Sequence, residues 1–399
     1  MRTPSRRKPK EINSHWKGPF EEGISFSSLV KFLECRERFR IYKIEGIRES
    51  KTFEDTVSME YGSIWHEGEQ AHAAGKDPIR AMDDYRKKLV GKYPDEDKEI
   101  YKWFSLAIRQ FPIYLKHWRN HPTQKKRQPI LEEVSFKIPY YLPSESRPIY
   151  LIGIFDALYL FAEEWIKLQE NKSKGKIDET GISSTLKKNL QTMIYHSALR
   201  RCIPRGETTA INFKYFDFLH NNDAPISLLL PISNNGKRIT KVYGTLYNVI
   251  RRPQADQRSL KQRKGRGKAR VGRETDTAFF DRIAKHIQEN EETFFYRWEA
   301  RIKNKDVQLF ERETLIPILC QLVAWWKWIS NDDFQDPWRI PDTDEVMSGI
   351  GLPNTPGGGH HFQSPWGCYN SLASGWRGSY FDYLTKGVTV GLYNVGDNH

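Results

Sequence analysis

Asp156, Glu170 and Lys172 are the residues in this chain whose types and spacing could do chemistry together. They lie in residues 150–172, which read YLIGIFDALYLFAEEWIKLQENK. The first run alternates Ile152, Ile154, Asp156, Leu158 and Leu160 on one face, and the second alternates Ile166, Leu168, Glu170 and Lys172, the period of two expected of strands. With Ala162-Glu163-Glu164 as the hairpin loop, Phe161 pairs with Trp165 and the register sets Asp156 across from Glu170, with Cβ atoms about 5 Å apart. Two carboxylates and an ammonium on an otherwise apolar face make a poor core and a good seat for a divalent cation. Such a cation, Mg²⁺ or Mn²⁺, prefers oxygen ligands, lowers the pKa of a bound water and neutralises charge growing on a phosphate. A one-residue slip would turn one acid to the opposite face, and a surface hairpin with a weak ion pair is the plain alternative. The E-x-K spacing alone is uninformative, since it recurs at Glu49–Lys51 and Glu96–Lys98.

The elements that must position these residues follow from periodicity. Residues 1–22 are polar and basic and expected to be disordered. Residues 25–45 are expected to form a helix capped by Ser27 or Ser28. A second helix should start near Tyr61-Gly62 and carry His66, which shares a face with Gly62. Glycine there would admit another backbone, and the imidazole could reach a metal. Helices over 83–92 and 98–120, the latter containing Pro112 and many aromatics, form an insertion at about 76–125. A strand over 130–141 precedes the hairpin, and a helix over 186–200 follows it, with Gln191 and Tyr195 four apart. Both can hydrogen-bond phosphate or sugar oxygens; singly, they read as polar residues flanking a buried stripe. Strands over 208–218 and 241–250, a basic loop over 253–274, a helical extension over 275–330 and a Trp/Gly/Pro-rich segment over 331–399 complete the chain. The order gives an α/β fold with a mixed sheet.

Lysine and arginine number 63 against 50 acids, a net charge of +13, which points to a polyanionic partner, DNA first among them. Seven of these cations fall within residues 261–273 without one acid, so Lys261, Arg263, Lys264, Arg266, Lys268 and Arg270 are candidate nucleic-acid contacts. A solvated loop is the bland alternative. No apolar run is long enough to span a bilayer, and the basic N-terminus has no apolar segment behind it; a cytoplasmic protein without membrane contact is expected. Four scattered cysteines, Cys35, Cys202, Cys320 and Cys368, form no C-x-x-C pair and no zinc motif.

Taken in order, Gly62/His66, Gly153/Asp156, Glu170/Lys172 and Gln191/Tyr195 resemble the motifs of the PD-(D/E)XK nuclease superfamily, within it the RecB-like branch that includes AddB-type and CRISPR-associated exonucleases and phage relatives. Ser25-Phe26-Ser27 with Cys35 is similar to that branch's N-terminal helix, Glu133-x-x-Phe136 to its first core strand, and YNVIRR at 247–252 to a segment of phage members. The resemblance covers residues 22–252 and implies a restriction-endonuclease-like core over 23–252. It implies that His66, Asp156, Glu170 and the backbone carbonyl of Asn171 hold the metal. Lys172 would be the catalytic lysine, and Gln191 and Tyr195 would position DNA and the active-site helix. The expected activity is Mg²⁺- or Mn²⁺-dependent hydrolysis of DNA, as an exonuclease. An endonuclease, a non-catalytic nucleic-acid-binding protein on the same fold, and a structural protein touching DNA through its basic loops are the alternatives. Some relatives carry a [4Fe–4S] cluster on one early and three late cysteines. Cys202 and Cys320 lie too far from Cys368 to complete four converging thiolates, so none is expected.

Overall fold

The computed structural model describes residues 16–34, 36–49, 51–125, 127–161, 165–177, 186–202, 210–217, 222–229, 241–253, 274–330 and 392–394. In chain order the elements begin with β1 (Ile24–Ser25), α1 (Phe26–Glu34), α2 (Arg36–Lys43), β2 (Ile47–Glu49), α3 (Phe53–Ala73), α4 (Pro78–Lys92), α5 (Asp97–Arg119) and α6 (Pro122–Lys125). Then come β3 (Arg127–Tyr140), β4 (Ile149–Phe161), β5 (Trp165–Lys174), α7 (Leu190–Cys202), β6 (Ala210–Asp217), β7 (Asn222–Leu229) and β8 (Val242–Arg251). The last are α8 (Asp276–Glu289), β9 (Phe295–Arg301), α9 (Asn304–Phe310), α10 (Ile316–Ser330) and β10 (Leu392–Asn394). Two compact units result, one of residues 1–50, 137–153 and 308–399, the other of residues 51–136 and 154–307.

In the first unit β1 runs parallel to the start of β4, Ile24 beside Leu151. Residues 25–45 form two helices rather than one, and the cap is Ser25, whose Oγ accepts the N–H of Ser28 at 3.2 Å. The packing is aromatic: Trp16 meets Phe39 and Trp326 edge-on, and Trp325 meets Phe32 and Phe39.

The second unit is built on a mixed sheet flanked by helices, the restriction-endonuclease-like α/β arrangement. The hairpin forms in the expected register, from Phe161↔Trp165 to Ala157↔Gln169. β3 lies on the other side of β4. β5 is central because β8 runs parallel along its far side, with Glu170 beside Tyr247 and Lys172 beside Val249. β9 then pairs antiparallel with β8. This corrects the expectation of a wholly helical 275–330 segment: FYRWEAR at 295–301 is a strand of the core sheet. β6 and β7 form a separate hairpin.

Helices cover both faces of β5. Asn171 and Ser173 face α3, where Ser173 Oγ donates to Ser58 O and a Cβ at Gly62 would sit 3.3 Å from Ser173 Oγ. The close approach permitted by Gly62 is therefore to a side chain, not to another backbone. Glu170 and Lys172 face α7, which starts at Leu190 rather than 186 because Asn189 Oδ1 accepts the N–H of Thr192 at 3.1 Å. The helices of the expected insertion do not stand apart: Met82, Leu89, Phe104 and Phe111 share one core with Trp65 of α3 and Phe279 and Ile283 of α8. No helix among the described residues is long and apolar enough to cross a membrane.

α7 also buries His196 completely against Thr245, Nε2 to Oγ1 2.8 Å, with Nδ1 lacking a partner among the described residues. Burial and then the charge of Arg200 push its pKa down to about 3. A base whose pKa falls on folding is protonated first in the unfolded chain, so the stability it supports is complete above the unfolded value of about 6.5 and is lost as pH falls towards 3. Between pH 7 and pH 5 the loss should be about 2 kcal/mol. Urea melts at the two pH values should show this difference, and His196→Leu should remove most of it; an unchanged pH dependence in the variant would refute the assignment.

Candidate metal and catalytic site

Three separate elements converge at one end of the sheet. α3 is set by a capping box at Thr52, whose side chain accepts the N–H of Asp55 while Asp55 accepts the N–H of Thr52. The helix therefore begins two turns earlier than its apolar pattern indicated, and Tyr61, Ile64 and Trp65 turn into the core. His66 is left at the boundary, about one-third exposed, with Nδ1 2.8 Å from Glu133 Oε1. Glu133 has φ +48°, the one non-glycine residue with positive φ among the described residues. Such backbone costs roughly 1–3 kcal/mol and persists where its surroundings impose it; here it aims a carboxylate at an imidazole.

Asp156 supplies the third donor: ligand atoms of His66, Glu133 and Asp156 all lie within 4.8 Å of one another. The expected facing of Asp156 and Glu170 is reached indirectly. The ladder pairs end at Ala157↔Gln169, and the next step is taken by Asp156 Oδ2, which accepts the backbone N–H of Asn171 at 2.7 Å. Ile154, expected on the apolar face, is 38% exposed, so the sheet opens to solvent beside Asp156.

Glu170 is buried beside this cluster. Its Oε1 accepts from Lys172 Nζ and from Gln191 Nε2, the latter at 2.6 Å, while Lys172 also donates to Gln191 Oε1 at 3.1 Å. Gln191 thus binds the acid–lysine pair from α7. Tyr195, one turn on, is packed rather than presented: its ring meets those of Phe136 and Phe155 edge-on, 5.6 Å from each. It holds α7 against β3 and β4.

The electrostatics are those of an acidic cluster short of positive charge. Burial first, and then the negative charge of Glu170, push Asp156 up to about 8. Burial opposes the charge on His66, but the hydrogen bond to Glu133 and the charges of Asp156, Glu133 and Glu69 raise its pKa to about 9. Burial likewise opposes the charge on Lys172 and is outweighed by Glu170 and Asp156, so its pKa rises. A lysine held protonated is a charge and a proton donor, not a base. An imidazole and two carboxylates at this spacing are a donor set that fits a hard or borderline divalent cation.

A sequence model of the PD-(D/E)XK nuclease superfamily matches residues 23–314. The chain belongs to this superfamily. Its nucleases use divalent metals and act on nucleic acid, and the match extends past residue 252 to include β9. No curated protein matches the chain significantly.

Of the residues singled out in the sequence, the superfamily fold brings together His66, Asp156, Glu170, Lys172 and Gln191, with the Asn171 N–H anchoring Asp156. The role of Glu133 beside His66 was missed. Its signal was E-x-x-F, in which Phe136 stacks on Phe155 under the site. YNVIRR acquires a physical meaning on β8: Tyr247 Oη bonds Thr192 of α7, and Asn248 Nδ2 bonds Asn171 Oδ1 at 3.0 Å on the other face. Lys261, Arg263, Lys264, Arg266, Lys268 and Arg270 lie outside the described residues, as do Cys35 and Cys368.

Proposed function

We propose that this protein is a Mg²⁺- or Mn²⁺-dependent deoxyribonuclease of the RecB-like branch, of the phage type, that degrades DNA from its ends in the cytoplasm. The observation that carries the reading is the convergence of His66, Glu133 and Asp156 from three elements within 4.8 Å, beside the buried Glu170–Lys172–Gln191 set.

In this reading His66, Glu133, Asp156 and Glu170, with the backbone carbonyl of Asn171, hold the cation. The cation supplies charge neutralisation at the scissile phosphate and a water of lowered pKa. Lys172, kept protonated by Glu170, orients the attacking water and donates a hydrogen bond to the phosphate oxygens as negative charge builds on them. Gln191 fixes the rotamers of both Glu170 and Lys172, so the ammonium is positioned before substrate arrives. Tyr195 contributes by seating α7. The cations of 261–270 would hold the DNA backbone, a salt-sensitive contribution to affinity.

The test compares linear and covalently closed circular DNA of one sequence with Mg²⁺, Mn²⁺ or EDTA. Linear DNA should be degraded, circular DNA should survive, and EDTA should abolish cleavage. Cleavage of circles would make the enzyme an endonuclease, cleavage in EDTA would sink the metal-dependent reading, and tight salt-sensitive binding with no cleavage under any metal would leave a binding protein.

A further inference from the structure

The YNVIRR run ends in two arginines with different neighbours. Arg251 lies over the Phe294 ring, Cζ 5.6 Å from its centroid. Arg252 reaches α5 instead, where its Cζ is 5.4 Å from the centroid of the Trp103 ring, within range of a cation–π contact. The backbone that carries it is fixed from two directions. Arg252 N–H donates to Lys174 O of β5 at 2.7 Å. Arg251 O accepts Gln110 Nε2 at 2.9 Å, and Gln110 Oε1 accepts Tyr61 Oη at 2.6 Å. Gly175 leaves room for the guanidinium, since a Cβ there would lie 3.2 Å from Arg252 Nη2.

Arg252 is a cation without a counter-charge. Nη1 is buried without a hydrogen-bond partner, and Nε and Nη2 make no hydrogen bond or ion pair among the described residues. Burial pulls its pKa down, opposed by the Tyr61 phenol, and no carboxylate among the described residues is near enough to contribute. Other arginines of this unit are matched to acids: Arg86 to Asp83, Arg109 to Asp281 and Arg282 to Glu274. A guanidinium partly withdrawn from water with nothing opposite it costs stability. The side chain stays part-exposed, and its Nε–Nη2 edge is the one that can take two oxygens of a planar or tetrahedral anion side-on. The ladder sets its place relative to the site. Lys174 is two residues beyond Lys172 on β5, about 7 Å along the strand. Every residue from Lys172 to Ile177 is part-exposed or exposed, and none is acidic. An open strip therefore runs from Lys172 to Arg252, with the exposed Lys174 and Lys176 on it.

We infer that Arg252 is a subsite for the DNA backbone phosphate next to the scissile one, taken side-on by Nε and Nη2. The choice of a DNA phosphate rests on the nuclease reading; the uncompensated guanidinium does not. Lys174 and Lys176 add attraction along the same strand without fixing a position. A phosphate contact carries no sequence information and sets register, so Arg252 holds the strand while the scissile phosphate meets the metal site. Its loss should appear in affinity and KM rather than in turnover.

The test uses the full chain in EDTA, so that binding is read without cleavage. The probe is a short labelled duplex with single-stranded ends, titrated at several salt concentrations. Arg252→Gln should weaken binding about tenfold and reduce the salt slope by about 0.7–0.9, the loss of one phosphate contact. Arg252→Lys should restore the slope but little of the affinity, since lysine lacks the planar fork. The Tm of the glutamine variant should not fall, because no ion pair is lost; a lowered Tm with wild-type affinity would make Arg252 structural and overturn the inference. Probes with one phosphate replaced by an uncharged methylphosphonate locate the contact. At the linkage beside the cut, mapped in Mg²⁺, wild type should lose about tenfold and Arg252→Gln nothing further, the coupling expected of two groups in contact. Wild-type affinity and slope in Arg252→Gln, or equal sensitivity of both proteins at every linkage, overturns the inference. Arg252-dependent binding in a protein that cleaves nothing in any metal would leave the phosphate subsite standing and remove the nuclease reading alone.

Discussion

Lys172→Ala is expected to lower turnover on linear DNA by about 10²–10⁴-fold, the range for losing a positioned group that handles protons or charge in the transition state. KM should change far less, because Lys172 meets phosphate oxygens most strongly when their charge increases. The argument rests on where the ammonium is held. Its nitrogen is bonded to Glu170 and to Gln191 at once, and Glu170 is only 3% exposed. Removing the lysine leaves a buried carboxylate with Gln191 as its remaining side-chain donor among the described residues, so some stability should also be lost. Lys172 is itself about one-third exposed, and solvent screening holds that loss to roughly 1 kcal/mol. Steady-state kinetics, read with a thermal melt, separate the two effects: a Tm shift of a few degrees with full activity would remove Lys172 from the chemistry. Arg at 172 should not rescue, since a fork does not fit the site that one nitrogen shares between Glu170 and Gln191.

The second large effect concerns the sheet that carries the lysine. Gly244→Ala should destabilise the protein by about 3 kcal/mol or more, in the range reserved for steric conflict within a packed interior. A Cβ at this position would lie 2.1 Å from the carbonyl oxygen of Ala300 and 3.1 Å from the Cα of Arg301, both backbone atoms of β9. No rotamer change can relieve it. Gly244 is paired on both sides, with Lys167 of β5 and Arg301 of β9, so β8 cannot move away from one neighbour without disturbing the other. Denaturant titration reads the change directly. A loss below 1 kcal/mol would mean that β9 does not lie against β8 as described.

The hairpin was legible because two runs of period two separated by Ala162-Glu163-Glu164 leave one natural register, and the acids fell within it. α7 was legible from its apolar stripe, but its start was not, because Asn189 caps by a side-chain bond that periodicity does not record. For the same reason α3 was read as beginning near Tyr61, although Thr52-x-x-Asp55 is the capping-box spacing. β9 was hidden by its composition: in FYRWEAR the buried residues are Phe295 and Ala300, a pattern without strict alternation, and helices flank it. At the site, His66, Asp156, Glu170, Lys172 and Gln191 could be named from type and spacing. Glu133 could not be given its role, since a positive φ at an ordinary glutamate is imposed by tertiary surroundings and leaves no local trace.

The central place of β5 has a consequence for how the molecule comes into being. The strand leaves the ribosome with β4 as its only neighbour, and its far edge stays open until residues 242–251 arrive and are themselves covered by 295–301. Pairings this distant in sequence close large loops and form slowly. Throughout that interval an apolar strand edge bearing Glu170 and Lys172 is exposed to whatever the chain meets. The strand that supplies the lysine thus gains its second neighbour only after β8 has been made, and the nascent chain must be shielded there until then.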